Sequence, residues 1–423
     1  MPNATRRFRA LPPLPALVTD LALPVALALV PALGLAAAPT ARAEQISSLD
    51  GDHDEALISI EERGGVLVLK AATREIPCAD VKEVRFPAAD REPRPAPARA
   101  ILVGGDELSG EVVGGDSAAV SVRTGSLGIA RVKLESLRAL IWNGDPASVL
   151  RFRRDLLPLA NKQDIVIEKS WGKIEGLLDH IDEKGVTIDS EAFGGLVPVG
   201  TDRLLGVLVS LVGSPAAPGK DLKARLELAD GSVVTGKLVS YKSSTFTIDT
   251  SFAEGATVRA AEVRTLSFLN GSFSYVSDLE PVEKEERPSL VYVTYPYRRD
   301  ASVVEQGPIR IDGRAYRKGL GVHAYSRLAY DLRGEYRKFR AVAGLTDDAR
   351  GKPAPGSVRF QVLVDGKPAL GPEGLLLLTT DGARPVEVEV AGARKIELVA
   401  DFGPTGDTLA RGAWADAFLV KGK

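Results

Sequence analysis

Tyr295, Tyr297, Tyr325 and Trp414 offer flat aromatic faces, and His323, Asp347, Asp348 and Asp416, in the same C-terminal third, offer hydrogen-bonding partners. A ring gives van der Waals contact to an apolar ligand face, while carboxylates and imidazole take up hydroxyl groups. Together these types suit recognition of a flat, polyhydroxylated molecule. Each has a plainer alternative: Trp414 packs into a core beside Phe418, and His323, inside Gly319-x-Gly321-x-His323, bonds a loop carbonyl. Tyr297-Arg298-Arg299-Asp300 either meets an acidic group or is a solvated charge run.

Bond-breaking chemistry has less to work with. The three histidines, His53, His180 and His323, lie more than a hundred residues apart, so no H-E-x-x-H pair exists. Cys78, the sole cysteine, sits among Ile76, Pro77 and Ala79, and there is no G-x-S-x-G elbow. A glycosidase needs two carboxylates across a cleft, and the acids here are dispersed over small units. One cysteine excludes disulfide frameworks and thiolate zinc sites. With 54 basic against 56 acidic residues the chain carries −2, which argues against a nucleic-acid partner.

The elements that must position these groups follow from pattern. Residues 1–43 read as a signal peptide: Arg6, Arg7 and Arg9, an uncharged run from Leu21 to Pro39, then Ala41-Arg42-Ala43. Removing its four arginines and Asp20 leaves 50 basic and 55 acidic residues. No later stretch is apolar and long enough to span a membrane. The expected location is exported: periplasm, cell surface or extracellular.

Four blocks then share one grammar of turn glycine, period-two strands and a closing apolar strand. Turn glycine and last apolar residue lie 35 residues apart for Gly51 to Phe86, and 37 apart for Gly105 to Trp142, Gly172 to Val209 and Gly231 to Phe268. Units this small match SH3-like or Sm-like barrels. They are placed at 44–88 (eroded), 99–144, 164–212 and 222–270. Between the second and third, Asp145-Pro146 reads as a helix start, giving a short helical connector over 145–163. Gly213 to Lys220 reads as a linker. Beyond Ser272 strand candidates continue, from Val291 to Tyr295 through Ile396 to Val399, without the 37-residue beat. The fold class is all-β: tandem small barrel-like repeats followed by a C-terminal β-sandwich jelly roll over 272–423.

That last segment carries a resemblance. Ser274-Tyr275-Val276-Ser277-Asp278-Leu279-Glu280-Pro281, Lys318-Gly319-Leu320-Gly321-Val322-His323, Tyr330-Asp331-Leu332, Val364-Asp365-Gly366 and Trp414-Ala415-Asp416-Ala417 follow in the order of the NPCBM family, which the segment resembles. The resemblance implies a galactose-binding-like jelly roll and a carbohydrate ligand, with Tyr297, His323, Tyr325, Asp347, Trp414 and Asp416 as candidate sugar contacts. The chain departs from the family at Ala413 and Phe418, where an acidic and a basic residue are usual. Jelly rolls of this kind often hold a structural calcium, for which Asp348, Asp365 and Asp401 are candidate ligands, although their spacing matches no calcium loop, which favours solvated turn aspartates.

The expectation is thus an exported, non-catalytic protein that binds a glycan or polysaccharide, its repeats forming a presenting scaffold or meeting envelope protein partners. The alternatives are a structural envelope scaffold that binds no sugar, and a targeting subunit of a separate glycoside hydrolase.

Overall fold

The computed structural model describes residues 43–142, 146–211, 219–288, 293–305 and 307–422. Residues 1–42 of the expected signal peptide 1–43, Asp145 and most of the expected 213–220 linker lie outside the described residues. What is described is almost entirely antiparallel strand, with one α-helix, Pro146–Asp155. No helix among the described residues is long and apolar enough to cross a membrane.

The fourth block shows how the local grammar becomes structure. Lys223–Leu228, Val233–Lys242, Thr245–Thr250 and Ala256–Arg259 pair in succession, a single 3-10 turn follows, and Val263–Leu269 returns to lie beside Lys223–Leu228. The spatial order is fifth, first, second, third, fourth. The same order holds for the strands over 98–142 and 164–208, and over 44–85, where the long second strand is split into Gly51–Glu55 and Leu57–Arg63.

Each second strand carries a register shift, at Leu57/Ser59, Val112/Gly114, Leu178/His180 and Leu238/Ser240. Such a bulge sharpens the local twist and curls the sheet. The glycine ahead of three of these bulges is dictated by space. A Cβ on Gly110, Gly176 or Gly236 would stand 2.0–2.1 Å from a carbonyl oxygen of the neighbouring strand.

The all-β architecture is as the sequence pattern predicts, but no block closes into a barrel. Among the described residues no fourth strand pairs with a fifth. The fifth strands pair with each other instead: Thr265, Leu266 and Ser267 oppose Arg85, Val84 and Glu83, and Ala139, Leu140 and Ile141 oppose Leu208, Val207 and Gly206. The first block is therefore joined to the fourth and the second to the third, in one continuous sheet. Their cores merge as well, with Phe86 of the first block edge-on to Phe246 of the fourth at 5.8 Å. The helix buries Phe152, and Leu156 just after it joins the same cluster with Ile141, Ile165 and Leu208. Arg138 fastens the segment after the helix, donating to the carbonyls of Leu157 (3.1 Å), Leu159 and Val209.

From Phe273 onward two six-stranded sheets face each other. One runs Arg298–Arg299, Gly319–His323, Arg411–Lys421, Tyr336–Leu345, Arg384–Glu389, with Phe273–Tyr275 also on Arg411–Lys421. The other runs Glu283–Glu286, Ser326–Asp331, Lys395–Phe402, Ser357–Val364, Lys367–Pro368, with Leu375–Leu378 on Ser357–Val364. Val291 lies outside the described residues, and Val293 to Tyr295 form no strand. Between the sheets sits Trp414, fully buried, edge-on to Phe360 at 5.0 Å and to Phe339 at 6.3 Å. This corrects its assignment as a sugar platform: its neighbours Ala413 and Ala415 face away on the same strand, and period-two alternation turns the ring inward.

Two predictions follow from this packing. Trp414→Ala should cost about 3–5 kcal/mol in denaturant unfolding, as for other large-to-small core changes; a loss below about 1 kcal/mol would remove it from the core. The second concerns Asp106, buried where the second and fourth blocks meet. There Ser109 N–H donates to Ser232 Oγ at 2.9 Å, and the Asp106 carboxyl takes Thr235, leaving Oδ1 without a partner. Burial raises its pKa to about 6. Because the folded pKa exceeds the unfolded one, ionisation penalises the fold progressively as pH rises from about 4 to 6, and fully above that. Asp106→Asn should therefore gain about 1–3 kcal/mol at pH 8 and nothing near pH 4, measured by urea titration at both.

Candidate functional site

The strand Gly319–His323 ends in a tight loop, and its register with Arg411–Lys421 sets Arg411 opposite His323. His323 is buried. Its Nδ1–H donates to the Ala324 carbonyl at 2.7 Å, and an Asp407 carboxylate oxygen lies 3.6 Å from the same nitrogen. Burial pushes the imidazole pKa below its usual value, with the Ala324 carbonyl and Asp407 opposing. Tyr295, 39% exposed, stacks on this ring at 4.7 Å and 28°. Beneath, Arg411 donates to the Asp348 backbone carbonyl at 3.0 Å and lies 3.4 Å from its carboxylate, which also takes the Thr346 hydroxyl.

Tyr325 follows His323 by two residues and exchanges two backbone hydrogen bonds with Arg287, at 3.1 and 3.2 Å. The Arg287 guanidinium lies 4.3 Å from the Tyr325 ring centre, a cation–π contact, and pairs with Glu285 at 3.1 Å. Glu286 accepts the Tyr297 N–H at 2.5 Å. A shallow recess is lined by Glu286, Arg287, Tyr295, His323 and Tyr325. One end of the sandwich thus presents a ring held flat by a buried imidazole, beside a second ring capped by a guanidinium. Such an arrangement offers apolar faces and directional donors together.

Of the residues anticipated from sequence, Tyr297, His323 and Tyr325 gather here, with Tyr297 half-buried against the core rather than open. The others do not. Asp347 accepts N–H groups of Asp312 and Gly313 at 2.8 and 2.9 Å, pinning the hairpin turn between Ile309–Ile311 and Arg314–Tyr316. Asp416 turns to the repeats and meets Lys82 Nζ at 2.7 Å; burial raises its pKa and Lys82 opposes.

The calcium assignment is corrected. Asp348 holds Arg411, Asp365 takes the N–H groups of Arg394 and Lys395, and Asp401 takes that of Phe402. Among the described residues no three His, Cys, Asp or Glu side chains converge to hold a metal. Arg287, Asp407 and Arg411 escaped the sequence reading. Arg287 ends the charged run Glu283-Lys284-Glu285-Glu286-Arg287, where nothing local singles it out, and Arg411 becomes relevant only through strand register.

A larger cleft, of about 630 Å³, opens where the first and fourth blocks meet the sandwich, with Glu83, Glu227, Tyr275, Arg317 and Lys318 on its walls. Two carboxylates from different blocks do meet here, but both are bound to one guanidinium. Arg317 lies 3.1 Å from Glu83 and 2.7 Å from Glu227. Burial raises the Glu83 pKa against the pull of Arg317; for Glu227 burial also works upward, yet its bonds to Arg317 leave it lowered. The trio reads as a joint between modules.

Over 303 residues, 70% of this chain, the sequence is 24% identical to a Renibacterium salmoninarum protein named "Putative endo-alpha-N-acetylgalactosaminidase". The chain spans only 19% of that protein's length. A CBM51 from Clostridium perfringens GH95, solved with methyl-galactose, is 26% identical, covers 35% of this chain and 99% of its own, and has a TM-score of 0.30. The CBM51-2 and INT domains of Clostridium perfringens ZmpB, solved with GlcNAc, are 20% identical and cover 56% of this chain and 44% of their own, with a TM-score of 0.31. The C-terminal sandwich itself, residues 272–420, matches the NPCBM/NEW2 domain family.

Proposed function

We propose that the chain is an exported, non-catalytic glycan-binding protein. The sandwich binds sugar at its loop end, with Tyr295 and Tyr325 as apolar platforms and Arg287 and Glu286 as hydrogen-bonding partners. The four blocks hold that end at a fixed attitude and serve as a protein-interaction scaffold. The observation that carries the reading is the exposed Tyr295 ring resting on buried His323 in a segment that matches the NPCBM/NEW2 domain. A ring already immobilised loses little entropy on stacking against a pyranose.

The match to a glycosidase-named protein, of which this chain spans about a fifth, favours a second reading, in which the chain serves as the targeting part of a hydrolase. The locked state of Glu83 and Glu227 supports the absence of hydrolysis by the described residues themselves.

A glycan array probed with the full chain should show selective binding. Tyr295→Ala and Arg287→Ala should each weaken it by roughly tenfold, about 1.4 kcal/mol, while leaving Tm within about 2 °C. Binding unchanged in both variants moves the site elsewhere, and no binding to any glycan removes the reading. Its pH dependence has a definite sign. Since the folded His323 pKa is depressed, the stability tied to its neutral ring is present above about pH 6.5 and is lost as pH falls below that value. An imidazole ¹⁵N titration should find His323 still neutral at pH 6.5; protonation above that pH contradicts the stacked, buried ring.

A further inference from the structure

The third block differs from the second and fourth on one outward face, and those two blocks serve as internal controls. Glu111, Leu177 and Lys237 each follow the glycine that touches the neighbouring strand, and each lies directly across from a partner: Glu111 from Arg123, Leu177 from Asp189, Lys237 from Asp249. In the second and fourth blocks this cross-strand pair has opposite charges, and Arg123 and Glu111 form an ion pair at 3.1 Å. In the third block leucine stands where the second has Glu111 and the fourth has Lys237, so Asp189 faces no charge across the strands. The next strand adds Leu196 opposite Asp189, and the turn before it adds Phe193.

Leu177, Phe193 and Leu196 are 71%, 63% and 62% exposed, among the most exposed large apolar side chains of the described residues. Cross-strand neighbours share a face, so Leu177, Asp189 and Leu196 form one row. Around that row Asp189, Glu175 and Glu191 make no ion pair among the described residues; Lys173, at the start of the same strand, lies beyond Glu175.

We infer that this face of the third block docks a partner protein whose surface alternates apolar side chains with arginine or lysine, the cation pairing with Asp189 in the place that Lys237 holds across from Asp249 in the fourth block. Charge complementarity selects the occupant. A second copy placed face to face by a two-fold axis would set Asp189 against Asp189 and acid against acid, which disfavours self-association there. Pro198, which pairs with Thr187 in the outermost strand Gly195–Gly200, lacks an N–H and blunts that edge for strand addition, so side chains rather than backbone make the contact. The inference rests on reading the repeats as a protein-interaction scaffold and is independent of sugar binding by the sandwich.

The test uses the full chain and a fluorescein-labelled heptapeptide alternating arginine with valine and leucine, read by anisotropy, with a glutamate-for-arginine peptide as control. The arginine peptide should bind, weaken at least about tenfold in Leu177→Lys, which restores the sibling charge pair, and weaken similarly in 0.5 M NaCl. Leu177→Lys should leave Tm and glycan-array binding unchanged, separating failure of this face from failure of the sugar site. Equal binding of the glutamate peptide, equal binding to Leu177→Lys, or no binding at all would each overturn the proposal. So would concentration-dependent dimerisation in the ultracentrifuge that Leu177→Lys abolishes, since that names a second copy as the occupant.

Discussion

Everything in the molecule is arranged by the need of an open sheet edge for a partner. A five-stranded unit of about 45 residues curls but does not close, leaving its fifth strand with unpaired N–H and C=O groups. In a chain with four such units the edges satisfy one another. The pairing observed is nested, first with fourth and second with third. Nesting returns the end of the array to its beginning, so that Glu83 and Arg85 stand beside Thr265 and Ser267. Sequential pairing of neighbours would have left the first block far from the last.

That return creates the seat for the sandwich. Leu49 of the first block meets Phe273, Tyr275, Phe418 and Val420 in a small apolar cluster. Charges from both blocks surround it: Lys82 on Asp416, Asp52 on Arg314 at 2.7 Å, and Glu83 with Glu227 on Arg317. Because Arg317 engages one carboxylate from each block, the sandwich is referred to the paired fifth strands rather than to either block alone. Of these pairs Lys82 with Asp416 is the most buried, the side chains being 9% and 30% exposed, and so the least screened by solvent. The loop end bearing Tyr295 and the outward face of the third block thereby belong to one compact unit.

Local order was legible in the sequence because it is encoded locally. The Asp230-Gly231 turn, the alternation of Phe246 and Ile248 with polar neighbours, and the glycines at 110, 176 and 236 all leave marks within a few residues of themselves. The nested pairing leaves no such mark. Val84 and Leu266 look like any closing strand, and their opposition across 182 residues is a property of the assembled edge. The same gap explains the site. His323 and Tyr325 stood out by type, but the partners that orient them, Arg411 and Asp407, arrive through register and loop path. Asp347 and Asp365 pin turns, since a carboxylate next to exposed N–H groups bonds those first. Trp414 was ambiguous for a definite reason: an indole flanked by alanines reads identically whether its face of the strand looks inward or outward, and only the opposing Phe360 decides.

The sites that remain open to solvent share a physical signature that distinguishes them from the joints. At the joints, charge is answered by charge within the chain, as Arg317 answers Glu83 and Glu227. At the loop end the Tyr295 ring has one face answered by His323 and is 39% exposed. On the third block Asp189 faces Leu177, where Asp249 of the fourth block faces Lys237. Holding a ring rigid while part of it meets water, or a carboxylate among exposed leucines, adds nothing to folding, because the contact that would compensate is missing from the chain. Features of that kind persist where the missing half is supplied from outside, which makes internal repeats informative: the sibling that keeps its ion pair shows what the solitary fold prefers, and the one that gives it up marks where the fold is incomplete on its own.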